Sequence, residues 1–233
     1  VLSVRQLSVN GRRQPLLPGT SLSAARGGLL LVTGGRQDQR TSLALTLTGR
    51  MKPSGGSIEW DGSVSIRHLR AASAVVDSPG VNEPEQHLSV RDLVMEDLAL
   101  VPRRYRGALH GGSWLTANGF EDIAERWVEQ LDAGRRIGLL TALALADPRI
   151  ELLVVDSPDR HSGNPADWLP QLEKHANDAG RRLAVVATVS SLPAGWDGPA
   201  AFIGNAQPEI HHGQEPPSGQ EELMTTLMEE DAK

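Results

Sequence analysis

The chain has 233 residues, 39% of them hydrophobic and 22% charged, with a formal net charge of −6 and no cysteine. That length supports a substantial core and that balance excludes a disordered chain, while the missing thiols exclude a disulfide framework and a thiolate metal site. The acidic balance argues against nucleic acid as a partner; with no apolar run near the roughly 20 residues that cross a bilayer and no signal-peptide pattern, the expectation is a cytoplasmic protein without direct membrane insertion.

In chain order, Leu2 to Val9 alternates loosely and meets Asn10-Gly11, which predicts an opening hairpin completed by a strand from Leu16 to Leu22. Gly27 to Thr33 is a continuous apolar run of the kind buried on both faces of a sheet. Gly34 to Ser42 reads as a loop, Leu43 to Arg50 as a helix, and Ser57 to Trp60 with Asp61-Gly62 as another tight hairpin. Ala71 to Val76 is a short strand, Asp77 to His87 a loop, and Leu88 to Val101 a helix capped by Ser89 with Val90, Leu93, Val94 and Leu98 on one face.

Gly107 to Gly119 reads as irregular. Phe120 to Leu131 reads as helical, with Ile123, Trp127, Val128 and Leu131 on one side, and Arg135 to Ala146 as a helix stopped by Asp147-Pro148. Glu151 to Asp156 is a buried strand, Ala166 to Ala179 a helix, Leu183 to Thr188 a buried strand and Ala200 to Gly204 a last short strand. Beyond Glu209 the chain is polar, with helical pattern only from Glu221 to Glu230. Short apolar strands alternating with helices predict an α/β fold with a parallel sheet, an antiparallel portion beside it and a helical insertion over about 88–147. His211-His212 has no third metal ligand nearby, and Trp60, Trp114, Trp168 and Trp196 read as core edges or interface residues.

Gly34-Gly35-Arg36-Gln37-Asp38-Gln39-Arg40-Thr41-Ser42 lies between a buried strand and a helix, where a phosphate loop belongs. In the pattern G-x-x-x-x-G-K-[ST], backbone N–H groups cradle phosphates, the lysine reaches the terminal ones and the hydroxyl holds magnesium. Gly34 and Thr41 match; Gln39 replaces the second glycine and Arg40 the lysine.

The segments around the loop resemble, in order, those of ABC-transporter ATP-binding subunits. Gly49, the turn at Pro53 to Gly56 and Asp61-Gly62 are similar to the region after that family's phosphate loop. His87 to Leu93 resembles the helix start after its glutamine loop, Leu131 to Arg136 its signature loop, and Leu152 to Pro158 its Walker B strand. The resemblance spans residues 1–205 as a P-loop NTPase-type domain and leaves 206–233 as a tail. It implies ATP and magnesium as cofactors, with Gly34, Gly35, Gln37, Gln39, Arg40, Thr41 and Ser42 at the nucleotide and Thr41 and Asp156 at the metal. It also implies a membrane permease and a second ABC-type subunit, identical or not, as partners, and a location at the membrane through them.

The departures from the family pattern fall on its chemistry. Ser157 stands at the Walker B glutamate position and Val189 at the switch histidine position, so no catalytic group is expected. Asp77-Ser78 takes the place of the glutamine loop, and Asp132 takes the signature serine's place, presenting a carboxylate toward a phosphate. Gln37 and Gln39 at glycine positions are expected to carry backbone strain or to fill the phosphate nest. Thr41 and Ser42 read otherwise as caps of the next helix, and Asp156 as a solvent-facing strand end. The sequence points to a degenerate, hydrolysis-defective ATP-binding subunit; the alternative is a regulatory or scaffold protein that kept the fold and lost the nucleotide.

Overall fold

The structure is a computed structural model describing residues 1–106 and 111–206. In chain order the elements are β1 (Leu2–Val9), β2 (Leu17–Ala24), β3 (Gly28–Thr33), α1 (Gln37–Leu47), β4 (Gly55–Trp60), α2 (Ile66–Ala72) and β5 (Ser73–Val76). There follow α3 (Val90–Leu100), α4 (Arg103–Arg106), α5 (Gly111–Asn118), α6 (Ala133–Ala144), β6 (Leu152–Asp156), α7 (Leu169–Ala176), β7 (Ala184–Val189) and β8 (Ala200–Phe202).

The apolar runs become a five-stranded parallel sheet in the order β5-β6-β7-β3-β8. All five residues of β6 and all six of β7 are buried, because helices or the second sheet cover both faces. The period-2 pleat divides their side chains between two cores. Leu29, Leu31, Leu153, Val155, Val185 and Ala187 pack with α3, α5, α6 and α7. Leu30, Val32, Leu152, Val154 and Val186 pack on the other face with α1, α2 and the antiparallel sheet β2-β1-β4. Trp60, Trp114 and Trp168 are fully interior core residues, not edges.

Several local expectations are corrected. Helix α1 begins at Gln37, six residues before the expected Leu43, so most of the predicted loop is helical. Asp61-Gly62 makes a turn closed by a single Trp60–Ser63 bridge, but no second strand follows; Ser65 caps α2 instead. Gly111 to Asn118, within the expected irregular stretch, is helix α5.

Residues 120–131 form two single 3-10 turns rather than a helix. Their backbone is drawn off by the start of α3: Val90 N–H donates to Arg126 and Val128 N–H to Leu88. The expected helix over 166–179 is a 3-10 turn followed by α7, which ends at Ala176. The predicted Glu221–Glu230 helix and His211-His212 lie outside the described residues, as does the tail after residue 206.

Candidate functional site

The residues predicted around a nucleotide do converge at the C-terminal ends of β3, β6 and β7, with α1 leading away from β3. Gly34 (φ 95°) and Gly35 (φ 68°) make the turn that a side chain would strain. A Cβ on Gly35 would lie 2.7 Å from Gln39 Oε1, which accepts the Arg36 N–H at 3.0 Å. Gln39 and Arg40 N–H groups both donate to Arg36 O, and Gln39 N–H also reaches Asp38 Oδ1. The N–H groups of residues 36, 39 and 40, which a phosphate nest would leave free, are thus used within the loop.

Gln37 and Gln39 are helical and carry none of the strain expected of them. They act through their side chains. Gln37 Nε2 donates to Thr41 Oγ1 (3.2 Å), Asp156 Oδ1 (3.2 Å) and Ser157 Oγ (3.0 Å). Thr41 and Asp156 are the two residues expected to hold magnesium, and an amide nitrogen stands between their oxygens.

Arg40, 9% exposed, points into the same place instead of outward to a phosphate. Its Nε donates to Ser157 Oγ (3.1 Å), one terminal nitrogen to Gly35 O (2.8 Å) and the other to Gln37 Oε1 (2.9 Å). Arg36, by contrast, is exposed and pairs with Asp38. The Arg36 hydrogen bond holds the Asp38 carboxyl below the usual range.

Asp156 is wholly buried, not solvent-facing. Its Oδ1 accepts Gln37 Nε2, Ser157 Oγ (2.9 Å) and Thr188 Oγ1 (3.1 Å), while its Oδ2 is buried without a partner. A cation would have to displace the Gln37 amide to be shared between Thr41 and Asp156. Ser157 sits in the left-handed region (φ 53°), an uncommon state for a non-glycine residue. Its hydroxyl donates to Asp156 and accepts from Gln37 and Arg40, so no lone pair is left to polarise a water.

Val189 is fully buried in the core and reaches no ligand position. Ser42 Oγ bonds back to Asp38 O (2.7 Å) inside α1, and Thr41 lies in the helix interior, so neither caps the helix. Magnesium with a nucleotide phosphate does not fit these side chains as they stand, because the Gln37 amide occupies the space between Thr41 Oγ1 and Asp156 Oδ1 and Arg40 holds that amide in place, leaving Asp156 Oδ2 as the one free oxygen of the pair.

The two other departures are also satisfied internally. Asp132 caps α6, accepting the Arg135 N–H at 2.8 Å, so its carboxylate is committed to the helix terminus. A Cβ on Gly134 would lie 2.7 Å from Asp167 O, so a glycine there serves packing against the 165–167 turn. Asp77, at the glutamine-loop place, is buried with φ 60° and held by Arg136 (2.9 Å), Arg160 (3.0 Å) and His161 (2.7 Å). Burial alone would raise its pKa, but the hydrogen bonds from His161 and Arg136 and the charges of Arg136 and Arg160 hold it far below the carboxylate range.

This cluster was missed in the sequence, whose only signal is an aspartate where the family places a glutamine.

No protein-family model matches the chain. It is 35% identical over 150 residues to the taurine import ATP-binding protein TauB of Pseudomonas putida, covering 64% of this chain and 55% of that protein. The chain therefore spans about half the length of the TauB relatives it matches. It is 28% identical over 204 residues to the cytochrome c biogenesis ATP-binding export protein CcmA of Cupriavidus necator, covering 83% of this chain and 85% of that one. Among solved structures, an ABC transporter ATP-binding protein of Pyrococcus furiosus superposes with a TM-score of 0.65 at 18% identity, over 89% of this chain and 99% of that chain. An ATP-binding cassette in a post-hydrolysis state with ADP and phosphate gives 0.60 at 17%, over 82% and 88%. The fold is that of the ABC-transporter ATP-binding cassettes, and the sequence relatives are named as import and export ATP-binding proteins.

Proposed function

We propose that this chain is a degenerate ATP-binding subunit of an ABC transporter that does not hydrolyse ATP, seated on the cytoplasmic side beneath a membrane permease and paired with itself or with a competent subunit. Residues 1–205 form the cassette and 206–233 a tail. The relatives are named for taurine, cytochrome c biogenesis and hemin, so what they share is the subunit rather than the cargo.

One observation carries the reading. Gln37 Nε2 takes the position between Thr41 Oγ1, Asp156 Oδ1 and Ser157 Oγ, and Arg40 closes on the same serine. The site keeps its architecture, is filled by its own side chains with only Asp156 Oδ2 left unpartnered, and holds no group that activates water. General-base help is worth about 10²–10⁴ in rate, so turnover below the detection of a coupled assay is expected. No described helix is long and apolar enough to cross a membrane. Affinity purification from detergent-solubilised membranes tests it: a permease and an ABC-type subunit in the eluate support the reading, and their absence opposes it.

The same internal satisfaction favours a second reading, a regulatory or scaffold protein that kept the fold without nucleotide. It predicts soluble partners and no permease in that eluate.

A further inference from the structure

Outside the phosphate-loop site, a second buried polar assembly surrounds Asp77. Its carboxylate, fully inaccessible to solvent, accepts from Arg136 through both Nε (3.2 Å) and a terminal nitrogen (2.9 Å) and meets His161 Nε2 at 2.7 Å. Arg160 contacts the same carboxylate at 3.0 Å and Glu83 at 3.1 Å. One Arg160 nitrogen also donates to two backbone oxygens, those of Asp77 and Asp156.

These groups come from separate parts of the fold. Asp77 directly follows edge strand β5, Arg136 is the fourth residue of α6, and Arg160 and His161 follow β6 and Asp156. Among the described residues, the helices from α3 to α6 all lie in the excursion between β5 and β6. The cluster therefore joins the beginning of that excursion, its last helix and the turn that carries Ser157. A buried carboxylate shared by two guanidinium groups and an imidazole resists separation, because removing a partner leaves its buried charge less compensated.

We propose that the Asp77 cluster is a brace that fixes the α3–α6 helices in one orientation on the parallel sheet, and that Arg160 extends this brace to the Asp156 backbone. The helices and the phosphate-loop site then move as one body, whatever ligand is offered. The brace concerns the chain's own mechanics and stands whether or not a transporter is its partner.

The absence of cysteine allows a clean test. Spin labels at A117C in α5 and S57C in β4, both exposed positions, report the helices against the sheet layers. The brace predicts one narrow distance, unchanged by Mg-ATP. Arg160→Gln, which leaves the Asp77–Arg136 pair in place, broadens it and raises amide exchange in α6 by about tenfold. Asp77→Ala does so more strongly if it folds. Arg91→Gln, which breaks the exposed pair with Glu125 within the same helical part, leaves the distance narrow. A broad or two-peaked distance in the unaltered chain would overturn the brace, as would a narrow distance with unchanged α6 exchange in Arg160→Gln.

Discussion

A carboxamide can stand between a hydroxyl and a carboxylate where a cation would otherwise be shared, because its N–H groups donate to both. Gln37 does this with Thr41 and Asp156, and Arg40 completes the network through Ser157. The sequence named Gln37, Arg40 and Thr41 as a location because they fall between an apolar strand and a helix, and Asp156 and Ser157 through the resemblance of Leu152 to Pro158 to a Walker B strand. It did not reveal that Gln37 and Arg40 turn inward, which depends on α1 starting early enough to place residues 37, 40 and 41 on one face. Thr188, which the sequence reading passed over, donates to Asp156 Oδ1 and accepts the Ser157 N–H at 3.1 Å. Thr188→Val removes one of three donors to Asp156 Oδ1 while the Ser157 N–H keeps the residue-188 backbone oxygen at 3.0 Å, so it should cost about 1 kcal/mol, read as a shift of the urea unfolding midpoint.

Helix termini decide how the remaining departures behave. Asp132 serves α6 as a cap, so Asp132→Ala should cost about 1 kcal/mol while Asp132→Ser stays within a few tenths, measured by chemical denaturation. If Asp132 mattered only for repelling a phosphate, Asp132→Ala would leave stability unchanged. The parallel strands were legible because continuous apolar runs have few other uses in a covered sheet. The start of α1 was not, although Gln, Asp and Arg are tolerated or favoured in helices, since the Gly-Gly pair drew the loop reading forward. The 120–131 segment failed for a tertiary reason: its apolar spacing suits a helix, but its backbone groups pair with residues 88 and 90.

At the scale of the whole molecule, the Asp77 cluster ties stability to pH. Asp77's folded pKa is depressed below the unfolded value of about 3.9. Its contribution is therefore complete above that value and is lost as pH falls through it toward the folded pKa. Asp61, lowered to about 2 by its Arg26 hydrogen bond, acts in the same sense, though it is partly exposed and so contributes less. The urea midpoint should fall between about pH 5 and pH 2, and fall less steeply in Asp77→Asn, which starts less stable at neutral pH. This coupling was hidden from the sequence because Asp77, Arg136 and Arg160 are far apart in the chain and meet only once β5 and β6 pair.

The central claim is that the phosphate-loop site is filled by its own side chains. Calorimetric titration of Mg-ATP into the chain, beside a version carrying Gln37→Gly, Gln39→Gly and Arg40→Lys, tests it directly. The account predicts no binding heat for the unaltered chain and saturable binding for the triple variant. Saturable binding to the unaltered chain would contradict it.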